Sequence, residues 1–302
     1  MSATEYFKIL LPHPSLRDYV KQFLFVRLDI PASCRAIKPC WPTPFGRLDF
    51  NLGDLTHLNY VASGVIRPEP RVGLFGQSTE TSNRWHGPNL MRFQVLFQPG
   101  ALFRLTGIPH FELADAPFDA DDVFSAEVRR LYERSATARD FAEIVAFAEL
   151  FLRDRIERSG RRLLPIDRVA SLMMRNSCRG SLDDMAGMAC LSVRQFYNNF
   201  IGRMGVSPRT FRRIARLNHA ITYKLAYPSS NWPEIASRLG YYDYQHMVKD
   251  FRQFTLHTPG QIVDSELILK RRLLSGPGGG DVVRWWKELL PPDDVGSTGA
   301  HA

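Results

Sequence analysis

The sequence predicts an α+β protein: a β-rich N-terminal half, a small barrel or sandwich with flanking helices, followed by an all-α C-terminal half. Three observations carry this. Short apolar runs punctuated by Gly, Pro and Asn fill the first 115 residues. A helical period replaces them from residue 121 onward. The C-terminal third then carries one pattern twice: a small-residue helix, a tight turn, and a polar helix ending in Phe.

In chain order, Arg17–Phe23 fits a short helix before the first strand. Strands are expected at Phe23–Leu28, Leu48–Leu52, Tyr60–Ile66, Val72–Gly76 and Leu90–Phe97, because β-branched and aromatic residues there are bounded by turn formers. Irregular short spacing of this kind favours a small barrel or sandwich. Leu102–Gly107 reads as a short helix after the Gln98-Pro99-Gly100 turn. Over 121–159, Val123, Leu131, Phe141, Ile144, Phe147, Ala148, Phe151 and Ile156 recur at threes and fours, with Glu and Arg between. That stretch suits a dimer interface or packing on its own β half. Ser159-Gly160-Arg161-Arg162 reads as the link. The expected division is therefore 1–160, 161–275 and a tail, 276–302, opened by Gly276-Pro277-Gly278-Gly279-Gly280 and holding Trp285 and Trp286 in a short amphipathic stretch.

The 302 residues suffice for two cores. The formal charge of +8 is unevenly placed. Residues 1–160 hold 19 Lys and Arg against 19 Asp and Glu, while 161–302 hold 20 against 12, so the C-terminal half carries the whole excess and suits a polyanionic partner. Cys34, Cys40, Cys178 and Cys190 show no metal-ligand spacing, so free thiols are expected. The N-terminus lacks a secretory pattern and no run approaches a membrane span, which predicts a cytoplasmic protein. Neither cofactor nor metal is expected.

The repeated pattern is a pair of helix-turn-helix units. In the first, Ser181 caps a helix, Ala186 is small where two helices meet, and Ser192 with Gln195 forms Ser-x-x-Gln, a capping box for the next helix. Val193, Phe196 and Phe200 share its inner face. Arg194, Tyr197 and Asn198 lie on other faces and suit base edges, Arg for guanine and Asn for adenine. In the second unit Pro233 sits early in its helix, Ala236 takes the small position, Gly240 the exit, and Asp243 the next cap. Met247 and Phe251 are expected to bury, leaving Tyr244, Gln245, His246, Val248 and Lys249 outward. The caps Ser192 and Asp243 stand 51 residues apart, and Arg209–Ala226 between them is a helical stretch of 18 residues. Such a helix spans about 27 Å, near the roughly 34 Å between successive major-groove faces. Arg209, Arg212, Arg213 and Arg216 are candidate phosphate contacts.

From about Pro165 to Ile262 the sequence resembles the AraC/XylS-type transcriptional regulators, most clearly in Gly205-Val206-Ser207-Pro208 and in Ile235-Ala236-x-x-Leu239-Gly240-Tyr241. The resemblance implies a seven-helix DNA-binding domain. Its base-reading positions fall on Arg194, Tyr197 and Asn198, and on Tyr244, Gln245, His246, Val248 and Lys249. Ser181, Ser192, Ser207, Arg209, Arg212 and Thr258 are the phosphate-contacting or positioning candidates. The chain departs from the pattern at Leu256, where Gly is usual, at Met247, where Phe is usual, and near Ile262, where an Arg is missing. The N-terminal half is more weakly similar to a cupin-like sensing domain, through Leu11-Pro12-His13-Pro14-x-Leu16-Arg17-x-Tyr19-Val20, Gly76-Gln77 and Phe97-x-Pro99-Gly100-Ala101.

The expected function is a one-component regulator that binds double-stranded DNA, responds to a small-molecule effector, and meets RNA polymerase or a second copy of itself. The competing reading is a cupin-type metal-dependent enzyme. His13, His57, His86 and His110 are isolated, however, and no nucleophile elbow, P-loop or dinucleotide fingerprint occurs, so no enzymatic activity is expected. Cys34 and Cys40 beside Trp41 could bind a thiophilic metal, but free thiols suit them better. Trp41, Trp85 and the Phe-rich strands fit either an apolar effector pocket or plain packing, and no pocket can be named.

Overall fold

The computed structural model describes residues 6–30, 36–115, 117–175 and 180–263. Cys34, Cys178 and the segment holding Trp285 and Trp286 lie outside the described residues. The strands are β1 (Tyr6–Leu10), β2 (Val20–Asp29), β3 (Ala36–Cys40), β4 (Arg47–Asn51), β5 (His57–Tyr60), β6 (Ile66–Pro68), β7 (Val72–Phe75), β8 (Ser82–His86), β9 (Asn89–Phe97) and β10 (Phe118–Asp119). The helices are α1 (Ala101–Thr106), α2 (Ala120–Phe124), α3 (Ala126–Ala136), α4 (Phe141–Ser159), α5 (Pro165–Met174), α6 (Leu182–Met188), α7 (Val193–Met204), α8 (Pro208–Ala226), α9 (Trp232–Arg238) and α10 (Tyr244–Thr255).

One six-stranded sheet runs β1-β2-β9-β4-β7-β10 and a four-stranded sheet runs β3-β8-β5-β6. One face of the long sheet is apolar, and the other is apolar toward β1 and β2 and charged at Asp49 and Arg92, as period-two alternation allows. Phe23 and Phe25 of β2, Leu48 and Phe50 of β4, and Phe93, Val95 and Phe97 of β9 bury against α2, α3 and α4. The alternate residues Leu24 and Leu28, with Phe7 and Ile30, join a second cluster whose other members come from α8, α9 and α10. The third cluster is formed by α5, α6, α7 and the start of α8.

Of the two expected alternatives, barrel and sandwich, the strands take the second, two sheets that do not close into one barrel, and two local expectations are corrected. Part of the face that closure would need is covered by the C-terminal helices instead. The Arg17–Phe23 helix is absent: a 3-10 turn at Pro14–Leu16 leads directly into β2, whose Phe23 is needed in the sheet core. The single strand over Tyr60–Ile66 is a hairpin, because Gly64 takes a left-handed φ of 68° and Tyr60 N–H donates back to the Val65 carbonyl at 2.9 Å.

The gap between the sheets is polar. Glu69 bridges Arg84 and Arg92 at 2.6 Å each, and Asp49 receives both guanidiniums at 3.3 Å. Burial pushes the Glu69 carboxyl up, but the two Arg override it and hold the group down at about 2. The Phe-rich strands therefore pack against helices, and Trp41 packs on the C-terminal cluster, rather than lining an apolar effector cavity.

Candidate nucleic-acid interface

The two units are built alike. Leu191 N–H donates to the Ala186 carbonyl and Tyr241 N–H to the Ala236 carbonyl, both at 3.0 Å. Ala186 and Ala236 are buried, which lets each helix pair approach closely. Each turn needs a left-handed residue, supplied by Cys190 at φ 56° and Gly240 at φ 72°. Both α7 and α10 contain 12 residues, but the second turn is one residue longer.

Caps fix where each helix begins. Ser181 Oγ accepts the Asp184 N–H at 3.2 Å, and Asp184 accepts the Ser181 N–H at 2.7 Å. Ser192 Oγ accepts the Gln195 N–H at 3.3 Å and Gln195 Oε1 accepts the Ser192 N–H at 3.1 Å. Ser207 caps α8 through the Thr210 N–H at 3.2 Å, and Asp243 caps α10 through the His246 N–H at 2.7 Å. Thr258 N–H donates to Gln261 Oε1 at 2.9 Å at the start of a further helical turn over 259–263. Gly205, at φ 84°, closes α7.

On α7, Arg194, Tyr197 and Asn198 are exposed beside Gln195 and Asn199, while Phe196, Phe200 and Met204 bury. On α10, Gln245, His246 and Lys249 are exposed and Tyr244 is half-buried. Val248 is only 8% exposed, which corrects its outward assignment. The buried stripe of α10 is Met247, Val248, Phe251, Phe254 and Thr255, so a wide apolar arc includes the residue next to Met247.

The 19-residue α8 joins the units, a length of about 28 Å. Arg209, Arg212, Arg213 and Arg216 lie along one stripe of it. With His246, Lys249, Asp250 and Gln253 of α10 they line a cleft of about 460 Å³. Arg213 and Arg216 do not stand free as phosphate contacts. Asp250 accepts Arg213 Nη2 at 2.7 Å and lies 3.9 Å from Arg216. Arg216 also donates to the Gly240 carbonyl at 3.1 Å. Arg212 donates to the Gly180 carbonyl at 3.1 Å. Among the described residues Arg209 and Lys249 have no ion-pair partner.

The N-terminal half reaches into this apparatus. Asp167 of α5, fully buried, binds Arg203 of α7 through both oxygens at 2.8 and 2.7 Å, accepts the Leu164 N–H at 2.9 Å, and lies 3.8 Å from Arg104 of α1. Arg104 in turn lies 3.9 Å over the Tyr19 ring and donates to the Asp18 carbonyl. Thr81 donates to the Phe254 carbonyl of α10 at 2.6 Å, and Asn218 of α8 to the Pro42 carbonyl at 2.9 Å. Lys21 occupies the β-bulge of β2 between Val20 and Gln22. Burial first, then the Arg175 charge, lowers it to about 7, and no carboxylate lies within ion-pair distance among the described residues. His219 and His110 at the same junction are each lowered to about 4 by burial. Nothing in the sequence pattern singled out Asp167, Arg203 or Asp250, because their partners lie 36 and 37 residues away in sequence.

Residues 185–265 match the family model described as a helix-turn-helix domain. No curated protein matches the chain. Solved structures with some likeness include ToxT from Vibrio cholerae, at 10% identity and TM-score 0.48 over 86% of this chain and 98% of that one. Another is the AraC-like transcriptional activator CuxR, at 11% identity and TM-score 0.23 over 93% and 90%. No helix among the described residues is long and apolar enough to cross a membrane, and no group of three or more metal-ligating side chains occurs among them.

Proposed function

We propose that this chain, which carries a helix-turn-helix domain of the AraC type within residues 185–265, is a sequence-specific DNA-binding transcriptional regulator. The observation that carries the reading is the repeat itself. Two units, each with capped helices, a left-handed turn residue and a buried Ala where its helices meet, sit at the ends of one stiff helix, each presenting an exposed polar face. Arg194, Tyr197 and Asn198 read bases from α7, and Gln245 and His246 from α10, with Tyr244 at the edge of that face and Lys249 on its side toward the α8 cleft. Ser181, Ser192, Ser207 and Thr258 act by positioning helix starts. Residues 1–160 form the responsive half and residues 161–275 the DNA-reading half.

The responsive half acts through the junction. Lys21, half-buried over the Phe45 ring with no carboxylate within ion-pair distance among the described residues, supports a small anionic effector taken up there, since an added negative charge would offset its partial desolvation. Selection of bound sequences from random duplexes by the whole protein tests the main reading: enrichment of two half-sites about one helical turn apart is expected. Failure of the folded protein to retain any duplex at low salt would refute it. A thermal-shift panel of small carboxylates, with Lys21→Met as the control, tests the effector reading.

A further inference from the structure

The cleft between α8 and α10 contains five cationic side chains, Arg209, Arg212, Arg213, Arg216 and Lys249, against the single carboxylate of Asp250. Such an excess in one concavity costs electrostatic energy in the free protein unless an anion fills it. The cations are not equivalent. Asp250 is 1% exposed and holds Arg213 and Arg216, so those two stiffen the floor. Arg209 and Lys249 stand exposed at the rim without ion pairs among the described residues. Arg212 reaches toward the first unit, where it donates to the Gly180 carbonyl and has no ion-pair partner among the described residues.

Position identifies the anion. One wall is the helix that spaces the two units, and the other is the recognition helix of the second. A chain that runs from one exposed recognition face to the other passes this opening. We propose that the cleft seats a phosphodiester of the DNA backbone between the two reading sites, gripped by Arg209, Arg212 and Lys249, an inference that rests on the DNA-binding reading above. The cleft's volume of about 460 Å³ has room for the phosphate and parts of both flanking sugars. It acts as a register mark: with one phosphate fixed midway, the faces of α7 and α10 can meet bases only at set distances on either side. Phosphate grips of this kind position without reading sequence.

The test uses the full chain and a fluorescein-labelled mixed-sequence duplex of about 30 base pairs, with affinity followed by anisotropy between about 50 and 200 mM salt. The triple variant Arg209→Gln, Arg212→Gln, Lys249→Gln should flatten the plot of log affinity against log salt by about 0.9 in all, since the three share one backbone charge. Arg168→Gln, exposed on α5 away from the cleft, should leave it unchanged. An unchanged slope in the triple variant, with the wild type binding normally, would overturn the proposal while leaving DNA binding intact. No binding by the wild type would remove both. Pyrophosphate added at constant ionic strength separates the two sources of a phosphate. If it saturates the cleft at micromolar concentration and expels the duplex, the site serves a free phosphorylated molecule and the backbone assignment fails. Displacement only at millimolar levels, or none, supports the backbone.

Discussion

Replacing Asp167 by Asn tests whether the N-terminal half and the first recognition helix are joined by charge. Asp167 has no exposed surface and faces two guanidiniums, Arg203 with side-chain exposure of 11% and Arg104 with 1%. The amide keeps the shape and removes the one carboxylate within ion-pair distance of both guanidiniums among the described residues. Its NH2 group then points at Arg203 Nη2 and the Leu164 N–H, donors that were paired to the lost oxygen at 2.7 and 2.9 Å. Two buried cations are left facing each other without a counter-ion, a situation that costs about 3–5 kcal/mol. With an m-value of about 3 kcal/mol/M in urea, the unfolding midpoint should fall by roughly 1–1.7 M. Tryptophan fluorescence across a urea series measures this. The double variant Asp167→Leu, Arg203→Met removes the pair together and should lose less, because no orphaned Arg203 charge remains. A midpoint change below about 0.3 M for Asp167→Asn would show that the clasp contributes little, and the electrostatic account of the junction would fall.

Leu256 closes α10 in a left-handed conformation, φ 62°, with 54% of its surface exposed. Leu256→Gly should therefore stabilise by about 1 kcal/mol, read as a higher melting temperature, since the steric penalty exceeds the small packing loss. Acid should loosen the junction. His110 and His219 are each held near 4 in the fold against an ordinary value of 6.5, so their neutral forms stabilise fully above pH 6.5, and that stability drains as pH falls toward 4. At pH 5 each should cost about 2 kcal/mol, and His219→Gln should flatten a stability-against-pH curve in that window. Arg194→Ala should leave folding intact and relax preference at one base position by about 1–3 kcal/mol, measured by competition between operator variants once a site has been selected.

The C-terminal domain was legible because its signals are local. Ser192 with Gln195, Gly205 before Ser207-Pro208, and Asp243 before His246 are decisions made within a few residues, and each is made as its side chain suggests. Leu256 could be flagged as a departure, and the structure shows why Gly is the usual residue: the backbone there is left-handed. Register within α10 was harder. Val248 reads as outward if only Met247 and Phe251 define the inner face, yet Phe254 and Thr255 widen that face and draw it in. The N-terminal strands β1, β3 and β8 escaped notice because Lys8, Lys38, Pro39 and Arg84 interrupt the alternation that marks a half-buried strand. Arg84 makes sense only once Glu69 is folded beside it. The motifs that carried the weaker N-terminal resemblance acquire a reason at the junction. Tyr19 stacks with Arg104 and donates to the Arg161 carbonyl at 3.0 Å, Gln77 lies beside Gly205, and a side chain on Gly100 would collide with Asp167.

The two reading units are tied to the N-terminal half by different physics, and this constrains how a signal can travel. The second unit shares a core with the sheet: Phe7, Leu24, Leu28 and Ile30 are each 7% exposed or less, in a cluster completed by α8, α9 and α10. Exposing four such residues costs on the order of 10 kcal/mol, comparable with the whole stability of a domain. Release of that unit is therefore not an available switch. The first unit meets the N-terminal half through Arg104, 3.8 Å from Asp167, through the Phe103 ring 4.8 Å from the Arg203 guanidinium, through Phe45 packed on its core, and through the approach of Gly205 to the His110 carbonyl, a set poorer in buried apolar side chains. On the proposed reading, an effector's signal passes to α7 at the junction near Lys21 and His110 while α10 stays with the sheet. Because both faces must enter one duplex at a fixed separation, a small rotation of one is enough to change affinity without unfolding either.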